Sequence, residues 1–464
     1  MLEFRPVITE EIINFAKYYK GTGVCICEKT LSCKSIWKIL QPEIAVSHGC
    51  LIIKNRYPGM GITFDYPLPA EGGDAEAALG DIEEYCLKNG IKLCFSALKR
   101  KEMALLAKRF PFFKSSINRN YSDYIYSGEE MRNFNGKKYA GQRNHINKFL
   151  SKYPQAKFRK LANSEKDDVL KFMDVWAKTV LPSKVASAKK EFKLIYDFIK
   201  RINFDDYCTG CVEIDGKIVS IALAETVYDT LVIHIEKALH FYEGVNVFMV
   251  REFANFYKTQ YINREDDSGI EGLRISKMQY KPLYLADKYF MQINNELSLL
   301  KSVPKIKTEN LTLTAIKKTD AGDYFKLCTD EKLNKYWGYD YKEDLKVELY
   351  PEYFYDVAKR DEKNKMCLNF AVRLNDKFIG ETVLFEFDNH GACKLGVRIL
   401  PEFFGHGYGK EAFYGTMKWA LYGLGMRKIK SSCYKENYPS LKLHKELMRQ
   451  TGEDNERFYF EREY

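Results

Sequence analysis

No run among the 464 residues reaches the ~20 consecutive apolar positions that a membrane-crossing helix needs, so none is expected. The first twenty residues place Glu3, Glu10 and Glu11 where a secretory leader would carry lysines, and they lack a sustained apolar stretch. A cytoplasmic protein is therefore expected. Histidine is scarce, at seven residues that do not cluster, and the twelve cysteines are scattered through apolar segments such as "GVCICEK" and "IKLCFSAL". They read as buried thiols in a reducing compartment, and no metal site is expected. Acidic residues number 63 against 73 Lys and Arg, a formal charge of +10. That balance suits an anionic partner (nucleotide, RNA or lipid surface) or simply a solvated basic exterior.

What is abundant is aromatic: 33 Tyr and 30 Phe, enough to fill large α/β or α+β cores and to exclude a disordered chain. The length exceeds what one core usually supports, so two or three domains are expected. A helix capped by Thr9 follows a short strand, and a hairpin turns at Pro58–Gly61. "DAEAALGDIEEYCLKNG" is a helix stopped at Gly90. Between Arg132 and Lys160 lie nine basic residues and no acid, on a segment whose apolar positions partly follow a helical period. A long helical region over 163–202 precedes a hairpin series with turns at Asp215–Gly216 and near Asp229. The helix "VNVFMVREFANFYK" and the short strand "YINRE" follow. Pro304, in the lysine-rich stretch 296–309, marks the main boundary. Beyond it come the strand "LTLTAI", a helix after Thr319–Asp320, the strand "NFAVRLNDKFIGETVLFEFD", and the strand "ACKLGVRIL". A glycine turn, a helix over 409–424, the strand "KIKSSCY" and a helix over 439–448 complete this unit.

The glycine turn packs Gly405, Gly407 and Gly409 into five positions beside His406. A P-loop would need glycine at Phe404 and a hydroxyl at Glu411, and a dinucleotide fingerprint would need glycine at Lys410. Both fail. Two readings remain, a helix N-terminus whose N–H groups face an anion, or close packing of strand and helix.

"FGHGYG" resembles the Q/R-x-x-G-x-G/A loop of the Gcn5-related N-acetyltransferases (GNAT), matching at Gly407 and Gly409 and departing at Phe404. "FIGETVLF", "KLGVRILPEFFGHGYGKEAF" and "LGMRKIKSSCYKENYPSLKLHKEL" follow the wider pattern of the ribosomal-protein acetyltransferase branch. The resemblance implies transfer of acetyl from acetyl-CoA to a primary amine of a small molecule or peptide. It implies cofactor contacts from Val397, Ile399, Gly405, His406, Gly407, Tyr408, Gly409 and Lys410, with Asn437 and Ser440 along the pantetheine arm. The family's proton donor lies seven residues past the asparagine, at His444 here, which could equally be a solvated helix histidine. Glu381 is the candidate acceptor of the amine proton, or an ordinary surface glutamate. The family's Gly–Phe after this helix is replaced by Met448–Arg449.

"SDYIYSGEEMRNFNGKKYAGQRNHINKF", "HIEKALHFYEGVNVFMVREFANF" and "YINREDDSGIEGLRISKMQYKPLYL" resemble the C-terminal catalytic domain of phosphatidylglycerol lysyltransferases. That resemblance implies two fused GNAT-like halves and, as an alternative activity, aminoacyl transfer from aminoacyl-tRNA. The basic helix could contact an anionic carrier, or the region could be a non-catalytic nucleic-acid-binding module or a solvated face. Glu236, Lys237, Asn263, Arg264, Glu265, Arg274 and Lys277 form a second site candidate for an aminoacyl group, or a salt-bridge network. The expected architecture is α/β, with mixed central sheets flanked by helices in three GNAT-like units. These are 1–155, 156–295 and 310–464, with 296–309 as linker.

Overall fold

The computed structural model describes residues 2–464 except 22, 38–39, 58–59, 181–185, 338–341 and 343–348. It is a mixed α/β protein with three sheets of eight, seven and eight strands flanked by helices. Two compact units emerge. One comprises 1–82, 94–105 and 115–291; the other comprises 83–93, 106–114 and 292–464. Among the described residues no helix is long and apolar enough to cross a membrane.

In the first unit, Glu43–Ser47 and Cys50–Tyr57 pair antiparallel, and Cys50–Tyr57 pairs Gly61–Phe64. Pro58 and Gly59, half of the expected turn, lie outside the described residues. The helix Ala75–Lys88 forms as its pattern predicts. The segment Thr9–Tyr19 is a 3-10 helix whose N-cap is Ile8. Thr9 spends its hydroxyl on Ser35 Oγ at 2.7 Å, so tertiary bonding displaces the expected cap. The region read as one long helix is two, Lys166–Val180 and Ala186–Arg201, and 181–185 lie outside the described residues.

The seven-stranded sheet runs Tyr284–Ala286, Asp123–Ser127, Tyr261–Asn263, Thr230–Ala238, Lys217–Val227, Cys208–Ile214, Lys157–Arg159. The three central strands form an antiparallel meander that turns at Asp215–Gly216, both with positive φ, and near Asp229. The next connection crosses over. The helix Val245–Tyr257 returns the chain to Tyr261–Asn263, which pairs parallel with Thr230–Val232. Three residue pairs are made on that side, while Thr230–Ala238 stays paired with Lys217–Val227 to its end on the other. Cys208 and Cys211 share a C-x-x-C spacing but sit on one strand three residues apart, so they face opposite sides.

The second unit repeats this plan. Its sheet runs Ile306–Lys307, Thr312–Ala315, Leu368–Leu374, Lys377–Phe385, Ala392–Ile399, Lys428–Tyr434, Arg457–Glu463, Arg449–Glu453. The stretch read as one strand over 369–388 is a hairpin, because Asn375 and Asp376 both adopt left-handed backbone at φ 47° and 66°. Asn and Asp tolerate that conformation better than other side chains, which suits a two-residue turn. Burial alternates along Lys428–Tyr434, putting Ile429, Ser431 and Cys433 inward. The helix Tyr408–Trp419 buries Ala412, Phe413, Thr416 and Met417 against the strands, one face of a 3.6-residue period. After Leu447 the chain forms a closing hairpin, Arg449–Glu453 with Arg457–Glu463, where the expected acetyltransferase pattern was altered.

Candidate active site

In the second unit, Ala392–Ile399 and Lys428–Tyr434 pair parallel only through Ala392–Lys394 and Lys428–Lys430. Beyond Lys394 the ladder between the two strands stops, and the Leu395 carbonyl accepts instead from Ser431 Oγ at 2.8 Å. The turn Phe404–Gly407 follows past the end of this ladder and is exposed. Gly405 and Gly407 have φ of +83° and +80°, and a Cβ built on either would meet no atom within 4 Å. Glycine is needed there for backbone conformation, and the space above it is open. Gly407 caps the helix Tyr408–Trp419, whose first intrahelical bond runs from Glu411 N–H to Gly407 C=O at 3.1 Å. The N–H groups of Tyr408, Gly409 and Lys410 precede that bond and point out of the positive helix end. Such an end accepts phosphate oxygens. His406 stacks on Tyr408 at 5.5 Å between centroids, and Lys410 forms an ion pair with Glu446. Val397 is half-buried and Ile399 is buried on the strand that leads to the turn.

The three candidate chemical groups are held differently from one another. Asn437 caps the helix Tyr438–Leu447 by accepting from Ser440 N–H at 3.3 Å. His444 lies on that helix with only 4 % of its surface exposed, between Phe413 and Phe460. Its Nδ1 donates to the Ser440 carbonyl at 2.7 Å, and its Nε2 lies 2.7 Å from Ser431 Oγ. Burial pushes its pKa below the ordinary imidazole value, so it is neutral at pH 7. Glu381 is 1 % exposed on Lys377–Phe385. It receives Arg398 through Nε at 2.9 Å and through Nη2, Tyr324 Oη at 2.8 Å, and Asn369 Nδ2 at 3.3 Å. Arg398 also lies 4.0 Å over the Trp337 ring. Burial alone would lower the guanidinium pKa, but the Glu381 charge outweighs it and the pKa is raised. Glu381 is thus an ion-paired carboxylate. Tyr324, Arg398 and Trp337 had no motif to reveal them, since their meeting depends on tertiary packing.

In the first unit the same backbone plan meets a different fate. Gly244, φ +89°, caps Val245–Tyr257 as Gly407 caps its helix, but a Cβ there would lie 2.5 Å from the His145 carbonyl and 3.0 Å from Phe149 Cβ. Both belong to the basic helix Ala140–Lys152, which therefore fills the space above this turn. The basic run is also less bare than its sequence. Lys138 pairs Glu130, Lys148 pairs Glu243, and Arg159 pairs Glu213 and Glu165.

The candidates of 236–277 are held by different partners. Arg264 Nη2 donates to Glu236 at 2.9 Å and its guanidinium lies 4.5 Å over Tyr280, while its buried Nη1 has no hydrogen-bond partner among the described residues. Arg274 grips Asp267 through two bonds of 3.0 Å, and Asp267 also accepts Tyr124 Oη at 2.6 Å and Arg119 at 3.0 Å. Those bonds overcome burial and hold the Asp267 carboxyl well below its usual range. Lys277 donates to the Arg264 carbonyl at 2.6 Å, and burial followed by Arg264 lowers its pKa. Lys237 stands apart, paired with Glu191 at 3.0 Å.

Asn263 and Glu265 lead into a cluster unseen in the sequence. His234, with no exposed side-chain surface, is clamped between Glu225 and Glu265 at 2.8 Å each. Burial pulls its pKa down, yet the two carboxylates lift it to about 9, so the ring is an imidazolium at neutral pH. Asn263 donates to Asp123 at 2.7 Å, and Asp123 receives Lys288 at 2.6 Å. Lys288 also pairs Glu28 and lies 3.2 Å from Cys27 Sγ.

The model of the family described as phosphatidylglycerol lysyltransferase, C-terminal, matches residues 30–292, more than half of the sequence. The chain belongs to that family. In this family member a second domain follows, because the acetyltransferase (GNAT) domain model matches residues 310–447. The chain resembles the crystal structure of a conserved protein of unknown function from Bacteroides thetaiotaomicron. That match has 26% identity and a TM-score of 0.57, covering 63% of this chain and all of the other. A GNAT-family acetyltransferase from Bacillus anthracis matches at 21% identity and TM-score 0.30, over 34% of this chain and 98% of its own. Spermidine N-acetyltransferase from Vibrio cholerae matches at 18% identity and TM-score 0.29, over 33% and 95%. No curated protein matches.

Proposed function

We propose that the C-terminal domain transfers an acetyl group from acetyl-CoA to a primary amine. The observation that carries this reading is the open glycine turn past the end of the parallel ladder, ahead of a helix whose first N–H groups have no intrahelical acceptor. On this reading the amides of 408–410 hold the pyrophosphate, and the strand edge past Leu395, where the ladder to Lys428–Tyr434 has ended, holds the pantetheine arm. Acetyl-CoA, when bound, supplies an activated thioester, so the protein needs no covalent nucleophile. Asn437 and Ser440 flank the arm. Glu381, fixed by Arg398, orients the incoming amine through its charge more readily than it takes a proton, because its lone pairs are already engaged. Neutral His444 is reached from the cleft through Ser431 Oγ, which also contacts the Leu395 carbonyl at 2.8 Å.

The same plan, sheet meander and crossover helix, supports treating the second half of the first unit as GNAT-like and each sheet as one such unit. His145 and Phe149 fill the turn at Gly244, so of these two turns the one at Gly405–Gly407 is the one left open to an anion. Calorimetry should therefore give one acetyl-CoA per chain. Gly407→Asp, which adds like charge and a strained Cβ, should weaken binding by at least tenfold. Undetectable binding at millimolar acetyl-CoA, or unchanged affinity in the variant, sinks the reading.

A second reading concerns the first unit, where the Nη1 of buried Arg264, without a partner among the described residues, favours an acceptor-bearing ligand such as an aminoacyl group. Binding of a non-hydrolysable aminoacyl-adenosine analogue by wild type but not by Arg264→Met would support it.

A further inference from the structure

Within the first unit, the 3-10 turn Cys27–Lys29 runs directly into the helix Leu31–Ile36. Thr30 welds the two together. Its hydroxyl donates to the Cys27 carbonyl at 2.9 Å and accepts from Cys33 N–H at 3.1 Å. The thiols of Cys27 and Cys33 are thereby brought to one side of a rigid corner, both nearly without exposure. Facing them is Glu265, whose backbone has φ +57° and whose N–H is fixed by Asn263 Oδ1 at 2.7 Å. Cys27 Sγ, Cys33 Sγ and a Glu265 carboxylate oxygen all lie within 4.8 Å of one another.

A second triad, Cys27, Glu28 and Asp266, meets the same distance limit and shares the Cys27 thiol. That one already holds a cation. Lys288 Nζ pairs with Glu28, lies 3.4 Å from Asp266 and 3.2 Å from Cys27 Sγ. The first triad shares the Cys27 thiol with that ammonium and its Glu265 is paired with the His234 ring, but among the described residues no Lys or Arg side chain bonds to Cys33 or Glu265. We propose that Cys27, Cys33 and Glu265 bind a divalent transition-metal ion of the zinc type.

Two sulfur donors and one carboxylate suit a borderline-soft ion and disfavour magnesium or calcium, which take oxygen ligands. Around a tetrahedral zinc, with metal–sulfur bonds of about 2.3 Å, the two sulfurs stand ~3.8 Å apart. The side chains therefore need close by about 1 Å at most, within rotamer adjustment. His234 donates to Glu265 and is held from behind by Glu225, the arrangement that orients a ligating carboxylate from its outer side. Val227 and Val232 pack with both cysteines and keep the corner dry. Binding replaces the two thiol protons, which leave to solvent, and involves no change of oxidation state. The five-residue gap between the cysteines lies outside the usual C-x2–4-C spacing, so the sequence pattern does not announce the site. The proposal stands independently of either transfer reaction.

The full-length protein is purified after growth with added zinc, dialysed, and its metal content measured. The expected result is equimolar zinc, with zinc-edge X-ray absorption showing two sulfur neighbours at about 2.3 Å. After removal by chelator, cobalt(II) should restore an intense thiolate charge-transfer band. Cys33→Ser and Glu265→Gln should each weaken cobalt binding by about tenfold or more, whereas Cys211→Ala, altering a buried cysteine on the strand Cys208–Ile214, should not. Absence of zinc and of the cobalt band overturns the proposal. So does a zinc neighbour shell of nitrogen and oxygen only, a measurement on wild type that holds even if a variant fails to fold. Equal binding by Cys33→Ser and wild type places the metal elsewhere and also refutes it.

Discussion

Replacing Arg398 with Met tests whether Glu381 is an ion-paired carboxylate or a free base. The substitution keeps an unbranched apolar stem, though a shorter one, and removes two donors from a carboxylate that is 1 % exposed. A charge stranded in this way typically costs ~3–5 kcal/mol. Glu381 keeps Tyr324 Oη at 2.8 Å and Asn369 Nδ2 at 3.3 Å, which places the expected loss at the lower end, about 3 kcal/mol. Adding Glu381→Gln removes the stranded charge and leaves an oxygen for Tyr324, so the double variant should recover most of that loss. The assay is urea unfolding followed by tryptophan fluorescence, since Arg398 covers the Trp337 ring at 4.0 Å and its removal alters that signal directly. Acetyl transfer, read as release of CoA thiol, is measured in parallel. If Arg398→Met costs less than about 1 kcal/mol, or the double variant is no more stable than the single, the carboxylate is not held by this ion pair. The argument against a free base then fails.

Because burial depresses the His444 pKa, the unfolded chain takes up the proton first as pH falls. Its stabilisation is complete above the ordinary imidazole value, about 6.5, and is lost on acidification towards the lower folded value. Wild type should therefore lose more stability than His444→Gln between about pH 7 and pH 5, read from urea midpoints. Thr30→Ala removes the cap that accepts Cys33 N–H and should cost about 1 kcal/mol, measured by chemical denaturation. Asp376→Gly relieves a left-handed residue in the hairpin turn while adding freedom to the unfolded chain. A net gain of about 0.5 kcal/mol is expected, and a loss would show that Asp376 makes an unrecognised contact.

Much of the C-terminal plan was legible because its signals are local. The alternation of Lys428–Tyr434, the helix after Gly409 and the glycine turn each follow from a few neighbouring residues. The Asn375–Asp376 turn was missed because its two residues lack the glycine that usually marks such a hairpin, although both occupy the left-handed region. The basic stretch of 132–160 misled in a different way. Charge along the sequence is one-sided there, while its partners Glu213 and Glu243 come from elements more than fifty residues later. Charge density near 263–267 pointed towards a cluster, yet not to His234, Glu225, Asp123 or Lys288, which arrive from four other segments. Clusters assembled by a fold have no spacing to read.

Glu411 ties the first turn of the helix Tyr408–Trp419 to residues a hundred positions earlier. Its carboxylate accepts from Thr308 Oγ1, Asn310 N–H at 2.6 Å and Leu311 N–H at 3.2 Å. Leu297 is 1 % exposed in the same core, and Leu300, Val303 and Ile306 pack against it. The chain ahead of Thr312 is therefore a brace for the first turn of this helix, the end proposed above to hold the pyrophosphate. Shortening the chain from the N-terminal side would first loosen that brace. A C-terminal fragment starting at 310 would lose Thr308 and those four apolar side chains together, and its glycine turn would open onto a frayed helix. One starting ahead of residue 292 would keep the bonds of Glu411 and those four apolar side chains.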